Sequence, residues 1–334
     1  MDSDQRKTIR FRGRTESVLE TFRVRGRTYF AVQKLSSRSA FRVFDSHAGP
    51  DGGFRTLYQF SLSKISRQQL EILRRLSGTN TNRNFPGIVD FVTQGEHLFV
   101  VVAWVDGTDL KSYLDAVRSH QTPRPSVPEV VRLVRGLVHG LSHYHRRNSM
   151  IHGDVSPANI VLSSGTKQLV LIDFGSAWPQ EQAAKREPDE LTFPYAAPER
   201  LSKHAVVDFR SDVFSLSSIA YELLTLSVPY DGLGGQAGLS ELIGKVENTY
   251  RPPSELISKS KRLPQQSIRL LDQCIGTGLQ LHPDRRFATS REWLDAWDSL
   301  HFCFKKGGRL SRFEELVVTV IDSLSRMFGG PRDK

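Results

Sequence analysis

The stretch that decides the fold is IHGDVSPANIVL, residues Ile151 to Leu162, followed by LVLIDFGSA, residues Leu169 to Ala177. Apolar runs flank polar clusters that contain Asp154, Asn159 and Asp173. Hydrophobic flanks bury the backbone, so the polar side chains are presented at turns. Asp154 and Asn159, five residues apart on one loop, can converge with Asp173 on one site.

The residue types in these clusters suit phosphoryl transfer. Amide and carboxylate oxygens, here those of Asn159 and Asp173, are hard ligands for Mg²⁺, which binds through few protein ligands plus substrate phosphates. Another carboxylate, Asp154, can orient or deprotonate an attacking hydroxyl. One base and two metal ligands are a minimal set for a reaction dominated by positioning and charge stabilisation. Alone, Asp173 could be a turn residue and Asn159 a strand-end cap.

The motifs around these residues resemble the eukaryotic-type (Ser/Thr) protein kinase superfamily, over roughly residues 28–300. His152-Gly153-Asp154 with Asn159 looks like the catalytic loop, and Asp173-Phe174-Gly175 looks like the magnesium-binding DFG motif. The resemblance therefore implies a bilobal α+β fold, with a small antiparallel β lobe and a mostly helical large lobe. It implies that Asp154, Asn159 and Asp173 are the catalytic residues and that Asn159 and Asp173 are metal ligands. The implied cofactors are ATP and Mg²⁺.

Three further motifs carry the resemblance through the large lobe. TFPYAAPE, Thr192 to Glu199, is similar to the end of an activation segment, where the Thr hydrogen-bonds the catalytic Asp. Asp212 begins DVFSL, which resembles the start of the helix whose Asp supports the catalytic loop. PDRR is similar to the late P-x-x-R motif, so Arg286 is expected to pair with Glu199.

The resemblance also implies a set of nucleotide contacts. Val102 takes the gatekeeper position, and Ala103 to Val105 form the hinge, where the Ala103 carbonyl and the Val105 N–H bond adenine. Asp109 falls at the ribose contact. Val43 and Val161 sandwich the base, although plain core packing is an equal interpretation of either residue.

The small lobe departs from the family pattern. The phosphate-covering loop aligns with LSSRSAFRV, Leu35 to Val43, which contains no glycine. Gln59 stands where the phosphate-pairing Lys is expected, and Gln69 stands at its Glu partner. Loss of both charges avoids a lone buried charge. The basic residues that could compensate are Arg38, Arg42 and Lys64.

Two departures affect the catalytic loop. Ser156 replaces the Lys that steadies the γ-phosphate. Gly153 replaces the Arg that reads an activation-loop phosphate, so switching by phosphorylation is not expected. The HGD form also occurs in small-molecule kinases, whereas the APE-like segment and the Glu199/Arg286 pair favour the protein-kinase branch.

The hydropathy pattern divides the chain into regions. Residues 1–27 are predicted to be a basic lead-in, residues 28–105 a strand-rich small lobe and residues 106–300 a helical large lobe. In the small lobe, five β-like runs flank one helix-like stretch at 67–76. Helices are predicted over 127–144, 212–225, 266–277 and 290–300. Residues 301–334 are predicted to hold an amphipathic helical tail, apolar between 313 and 328.

Composition narrows the class of protein. The chain has 334 residues, 38% of them hydrophobic, and only two cysteines, which excludes a disulfide scaffold and a cysteine-based zinc cluster. The longest apolar run, Leu98 to Val105, is too short to cross a bilayer. A cytoplasmic location is expected. The net charge is +10, and residues 1–45 hold eleven Lys/Arg against five Asp/Glu. A positive net charge attracts anions of many kinds and does not indicate which one is bound. The alternative is that these basic residues only form a solvated surface.

Three functions fit these observations. The first is ATP- and Mg²⁺-dependent transfer to Ser/Thr hydroxyls of an unidentified protein substrate, at a low rate. The second is a pseudokinase that binds nucleotide or protein, and the third is small-molecule phosphotransfer. Binding to nucleic acid is not expected, and neither is a membrane role.

Overall fold

The computed structural model describes residues 8–11, 14–36, 40–48, 53–65, 67, 70–71, 73–74, 82–148, 150–173, 177–179, 193–201, 207–239, 241–242, 246, 249–257 and 263–306. The chain divides into two compact units, residues 1–106 and 107–334. This division lies one residue from the expected lobe boundary. The first unit is built on strands and the second mostly on helices, which confirms the α+β class.

The first unit contains a six-stranded antiparallel sheet with the order β3-β4-β5-β6-β8-β7. Its strands are β3 Glu20–Val24, β4 Arg27–Ser36, β5 Ala40–Asp45, β6 Gly53–Ser61, β7 Ile88–Gln94 and β8 His97–Ala103. The five strands predicted within 28–105 are all present. Between β6 and β7, residues 67, 70, 71, 73 and 74 are helical, and Leu73 is buried.

The sheet curls so that one face encloses its own core. The enclosed side chains, here called the closed face, are Phe22, Val24, Tyr29, Ala31, Phe41, Val43, Leu57, Phe99 and Val101. Three strands separate β3 from β8, yet the rings of Phe22 and Phe99 lie 6.1 Å apart. The Arg25 guanidinium, just beyond β3, lies 3.8 Å from the Asp90 carboxylate on β7. The closed face is therefore filled by side chains of this unit.

The structure corrects the expected lead-in at residues 1–27. Strands β1 Thr8–Phe11 and β2 Arg14–Ser17 form a hairpin, and β3 is an edge strand of the main sheet. The reason is an alternation that charged neighbours obscure, because Phe22 and Val24 point inward between exposed residues. The folded part of the first unit therefore starts well before residue 28.

The second unit is organised around helices. They are α1 Leu110–Arg118, α2 Val127–Asn148, α3 Phe209–Thr225, α4 Pro253–Leu256, α5 Gln265–Gly278 and α6 Ser290–Lys305. Helix α3 is buried at every residue from Ser211 to Leu224, so it forms the centre of the unit. The apolar stripe of α2 is buried from Val130 to Tyr144 at helical spacing.

Two small sheets carry the loops of the second unit. Strands β9 Gly107–Asp109, β11 Ile160–Ser163 and β12 Leu169–Leu171 form one sheet, in the order β12-β11-β9. Strand β10 Met150–Ile151 pairs with β13 Trp178–Pro179. In the described part of the chain, no helix combines the length and the apolar character needed to cross a bilayer. The expected tail helix at 313–328 lies outside the described residues.

Candidate active site

The loop between β10 and β11 brings two of the predicted catalytic residues into direct contact. The Asn159 Nδ2 donates hydrogen bonds to the Asp154 Oδ2, at 2.8 Å, and to the Asp154 carbonyl, at 3.0 Å. Both side chains are partly buried. The amide nitrogen of Asn159 is used within the loop, which leaves its amide oxygen as the atom able to bind a cation.

The pairing of β11 with β12 adds the third residue. Ile160 is opposite Leu171, and the Ile172 N–H donates to the Asn159 carbonyl at 2.9 Å. Asp173 follows directly, so the strand register places it beside the catalytic loop. The buried His152 also hydrogen-bonds the backbone of Asp173. Burial lowers the pKa of His152 despite the nearby carboxylates, so the ring is neutral at pH 7.

Asp212, at the start of α3, holds the backbone of this loop. Its two carboxylate oxygens accept the N–H groups of His152 and Gly153, both at 2.8 Å, and His145 Nε2 lies 2.9 Å from Oδ2. Burial opposes ionisation of Asp212, but the hydrogen bonds from His145 and from the Gly153 N–H hold its pKa below the ordinary value. A buried carboxylate with this many donors remains charged and fixes the loop.

Gly153 adopts a conformation that suits glycine. Its φ is +76°, in the left-handed region, while its N–H is bound to Asp212. A side chain in this region is strained because Cβ meets the neighbouring carbonyl. The backbone conformation at this position therefore explains the glycine of the HGD sequence.

Glu199 and Arg286 form a buried bidentate ion pair. The Arg286 NH1 and NH2 groups donate to the two Glu199 oxygens at 2.7 and 2.9 Å. Nε of Arg286 donates to the Gln280 carbonyl at 2.7 Å, and further bonds reach the carbonyls of Arg210 and Leu281. This pair anchors the segment 193–201 to the body of the second unit.

Sequence reasoning missed a second anchor of the same segment. The Tyr195 hydroxyl donates to the Glu222 Oε2 at 2.7 Å, and Arg118 pairs with the other oxygen of Glu222. Burial and the Glu222 charge raise the pKa of Tyr195, so the phenol remains a donor. Tyr195 belongs to the TFPYAAPE motif, but its partner Glu222 is 27 residues further along the chain. No local sequence pattern indicates that Glu222 is the partner.

The Gly-rich stretch 231–239 packs against this segment. A Cβ on Gly235 would lie 1.7 Å from the Ala196 carbonyl oxygen, so only glycine allows the approach. The stretch contains a short 3-10 helix at Gly234–Gly238. Thr192, Phe174 and Gly175, which complete the motifs, lie outside the described residues.

The nucleotide contacts predicted in the second unit are adjacent but already engaged. Asp109 is opposite Val161 in the β9–β11 pairing. Both oxygens of Asp109 cap α1, accepting the Ser112 N–H at 2.8 Å and the Ser112 hydroxyl at 2.7 Å. Val161 is buried within the small sheet, and Ser156 is buried in the catalytic loop. A ribose contact at Asp109 would share the carboxylate with this cap.

In the first unit, the structure does not bring the predicted nucleotide residues onto one face. Opposite residues of antiparallel strands share a face, and successive residues alternate. Val43 is opposite Arg55, four residues before Gln59, so Val43 and Gln59 share the closed face. Val102 is opposite Thr56, so it lies on the other side, here called the Val102 face. Tyr58, not Gln59, is the β6 neighbour on that face.

The predicted hinge follows β8 directly. The Ala103 N–H donates to the Gly87 carbonyl at 2.7 Å, which anchors the end of the strand. Trp104 Nε1 donates to Asp106 at 2.9 Å. Val105, between Trp104 and Asp106, is partly exposed and lies outside any strand.

The sequence profile of the protein kinase domain matches residues 59–295, more than half of the chain. The chain belongs to the protein kinase family. Its match includes the catalytic loop, Asp173, the 193–201 segment and Arg286, and it begins within β6.

Several Ser/Thr protein kinases are similar to this kinase-family chain in sequence. It is 33% identical over 152 residues to pkn2 of Myxococcus xanthus, covering 43% of this chain and 17% of that protein. It is 29% identical over 215 residues to PknF of Mycobacterium tuberculosis, covering 61% of this chain and 41% of that protein. Each alignment spans less than half the length of the relative.

The fold is similar to that of a solved bacterial kinase. The PknI kinase domain of Mycobacterium tuberculosis superposes with a TM-score of 0.53 at 24% identity, covering 81% of this chain and 96% of that one. This likeness confirms the predicted bilobal α+β fold, and the family match with the Ser/Thr kinase relatives identifies a bacterial-type member of the superfamily.

Proposed function

We propose that this protein transfers the γ-phosphoryl group of ATP, with Mg²⁺, to Ser or Thr hydroxyls of a protein substrate. The observation that carries the proposal is the Asn159–Asp154 hydrogen bond, beside Asp173 and held by Asp212. Asp154 orients the attacking hydroxyl and accepts its proton, while Asn159 and Asp173 hold the metal.

The donor set fits magnesium. An amide oxygen and a carboxylate are hard ligands, and Mg²⁺ completes its shell with water and phosphate oxygens. Among the described residues, His, Cys, Asp and Glu form no cluster of three able to hold a metal ion, so a site with few protein ligands is the one proposed. When bound, Mg²⁺ neutralises charge on the transferring phosphates.

A protein substrate is favoured over a small molecule by the anchored segment 193–201. Glu199 and Tyr195 each tie it to buried partners, which gives a rigid surface for a peptide. The relatives with similar sequences are named as Ser/Thr protein kinases. Activity on amino sugars or choline, with none on protein, would reverse this preference.

The proposed rate is low. Neither Gln59 nor Tyr58 is a cation, and Ser156 is a buried hydroxyl at the expected Lys position. Loss of one electrostatic phosphate contact costs ~10²–10³ in rate by analogy with oxyanion holes. Two such losses leave a slow enzyme unless another basic residue compensates. A cytoplasmic location is also proposed, because Cys274 and Cys303 are unpaired and buried.

The test is phosphate transfer from labelled ATP. We expect Mg²⁺-dependent labelling of generic Ser/Thr acceptors by the wild type, and a loss of at least 10²-fold in Asp154→Asn. Asp298→Asn is the matched control. It makes the same substitution at a carboxylate that pairs with Arg135 and that belongs to none of the site motifs. Equal labelling by the wild type and by Asp154→Asn would contradict the proposed kinase activity.

A pseudokinase is the second candidate, and the first unit favours it. The strand register gives β6 no cation on the Val102 face. Its signature is a large thermal shift with ATP and Mg²⁺ but no turnover above the Asp154→Asn level. Brisk turnover rejects it.

A further inference from the structure

On the Val102 face, one basic side chain stands out. Strands β5, β6 and β8 are described throughout, and the register assigns to this face Ala40, Arg42, Phe44, Phe54, Thr56, Tyr58, Phe60, Leu98, Val100 and Val102. Arg42 is the only cation in this set. Of the other compensating candidates, Lys64 is exposed in the short turn after β6, and Arg38 lies outside the described residues.

The Arg42 guanidinium lies between aromatic rings and has one donor without a partner among the described residues. Its Cζ lies 3.8 Å from the Phe54 ring centroid and 5.1 Å from the Trp104 ring centroid. About a quarter of the side chain is exposed, and its Nε is buried without a hydrogen-bond partner among the described residues. Contact with the two aromatic rings holds the group in place, while the exposed quarter of the side chain can meet an incoming anion.

An anion already lies near this group. Glu16, on β2 of the N-terminal hairpin, places Oε1 3.6 Å from the Arg42 NH1. This exceeds hydrogen-bond length, and both side chains are partly exposed, so the pair is a weak one. A phosphate group carries more charge and more acceptor atoms than one carboxylate, so it can displace Glu16.

We propose that Arg42 is the phosphate-binding cation of the first unit, and that Glu16 competes with the nucleotide for it. The inference rests on the proposed use of ATP. The closed face is filled by its own core, whereas Arg42 on the Val102 face is partly exposed beside the buried Thr56 and Val102. The N-terminal hairpin is then a regulatory element, because any movement that removes Glu16 frees Arg42 for phosphate.

The experiment measures Kd by calorimetry with Mg²⁺ and a non-hydrolysable ATP analogue, and with adenosine. Arg42→Gln is expected to weaken the analogue about tenfold and to leave adenosine unchanged. Glu16→Gln is expected to tighten the analogue about two- to fivefold. In the double variant, Glu16→Gln should add no effect to that of Arg42→Gln. Glu16 competes with phosphate only for Arg42, and Arg42 is absent from that variant. Melting curves confirm that each variant is folded, and Arg42→Lys should retain part of the affinity.

Matched charge controls are Arg23→Gln and Glu20→Gln, both exposed on β3. They change net charge equally, so an effect as large as those of Arg42 and Glu16 would reduce the inference to general electrostatics and overturn it. Equal loss of adenosine and analogue in Arg42→Gln would assign Arg42 to the base and also overturn it. A wild type that binds neither compound would instead contradict the proposed function itself.

Discussion

Gly153 shows how one backbone angle shapes the catalytic loop. Its left-handed φ turns the chain between His152 and Asp154 while its N–H remains bound to Asp212. Asp154 then contacts Asn159 directly. The orientation of the proposed catalytic carboxylate therefore depends on a residue that has no side chain.

Replacing Gly153 with Ala should strain this turn. We expect the free energy of unfolding to fall by about 1–2 kcal/mol, because a Cβ at this φ is unfavourable. Chemical denaturation measures the change. Gly165→Ala is the matched control, since its φ is not left-handed and nothing lies within 4 Å of the added Cβ. A loss at Gly165 as large as at Gly153 would contradict the backbone argument.

Individual residues also show which contacts of the site can be predicted from the sequence. Asp154 and Asn159 lie five positions apart on one loop, so local pattern was enough to place them together. The partners of Tyr195 could not be found in this way, because Glu222 and Arg118 are distant in sequence. Contacts set by tertiary packing leave no periodic signal.

At the scale of elements, strands were easier to predict than their faces. The run FRTLYQF predicts β6 correctly, but an assignment shifted by one residue moves every side chain to the opposite face. Gln59 and Val102 were assigned to one site, and the register separates them. Both faces of β6 contain buried residues, Thr56 and Leu57 among them, so hydropathy could not fix the register.

The 193–201 segment depends on its buried ion pair. Glu199→Gln leaves Arg286 buried beside a neutral partner, and removing one member of a buried pair costs about 3–5 kcal/mol. We therefore expect a large drop in the denaturation midpoint. Arg291→Gln, which breaks an exposed pair with Asp295, should cost less than about 0.5 kcal/mol.

A double variant separates charge burial from packing. Glu199→Leu with Arg286→Met removes both charges and keeps apolar volume, so it should be less destabilised than Glu199→Gln alone. A double variant that is worse than the single one would mean that the carbonyl bonds of Arg286 dominate.

At the scale of the whole molecule, part of the positive charge of the N-terminal segment lies on a folded sheet. Arg23 and Arg27 are exposed on β3 and β4, while their neighbours Phe22 and Val24 enter the closed core. Part of the basic excess is therefore exposed charge on the folded sheet, outside its core. Single hydrophobic alternations between arginines gave too little signal for the sequence to reveal this strand.

Truncation tests where the fold begins. A chain that starts at residue 19 keeps β3, whereas one that starts at residue 27 loses Phe22 and Val24 from the core. Full burial of each such side chain contributes about 1.5–3 kcal/mol, so the second truncation should lose several kcal/mol of unfolding free energy relative to the first. Denaturation of the two chains, with Phe22→Ala in the full chain beside the exposed Leu19→Ala, measures it. Equal stability of the two truncated chains would mean that β3 covers the core without stabilising it.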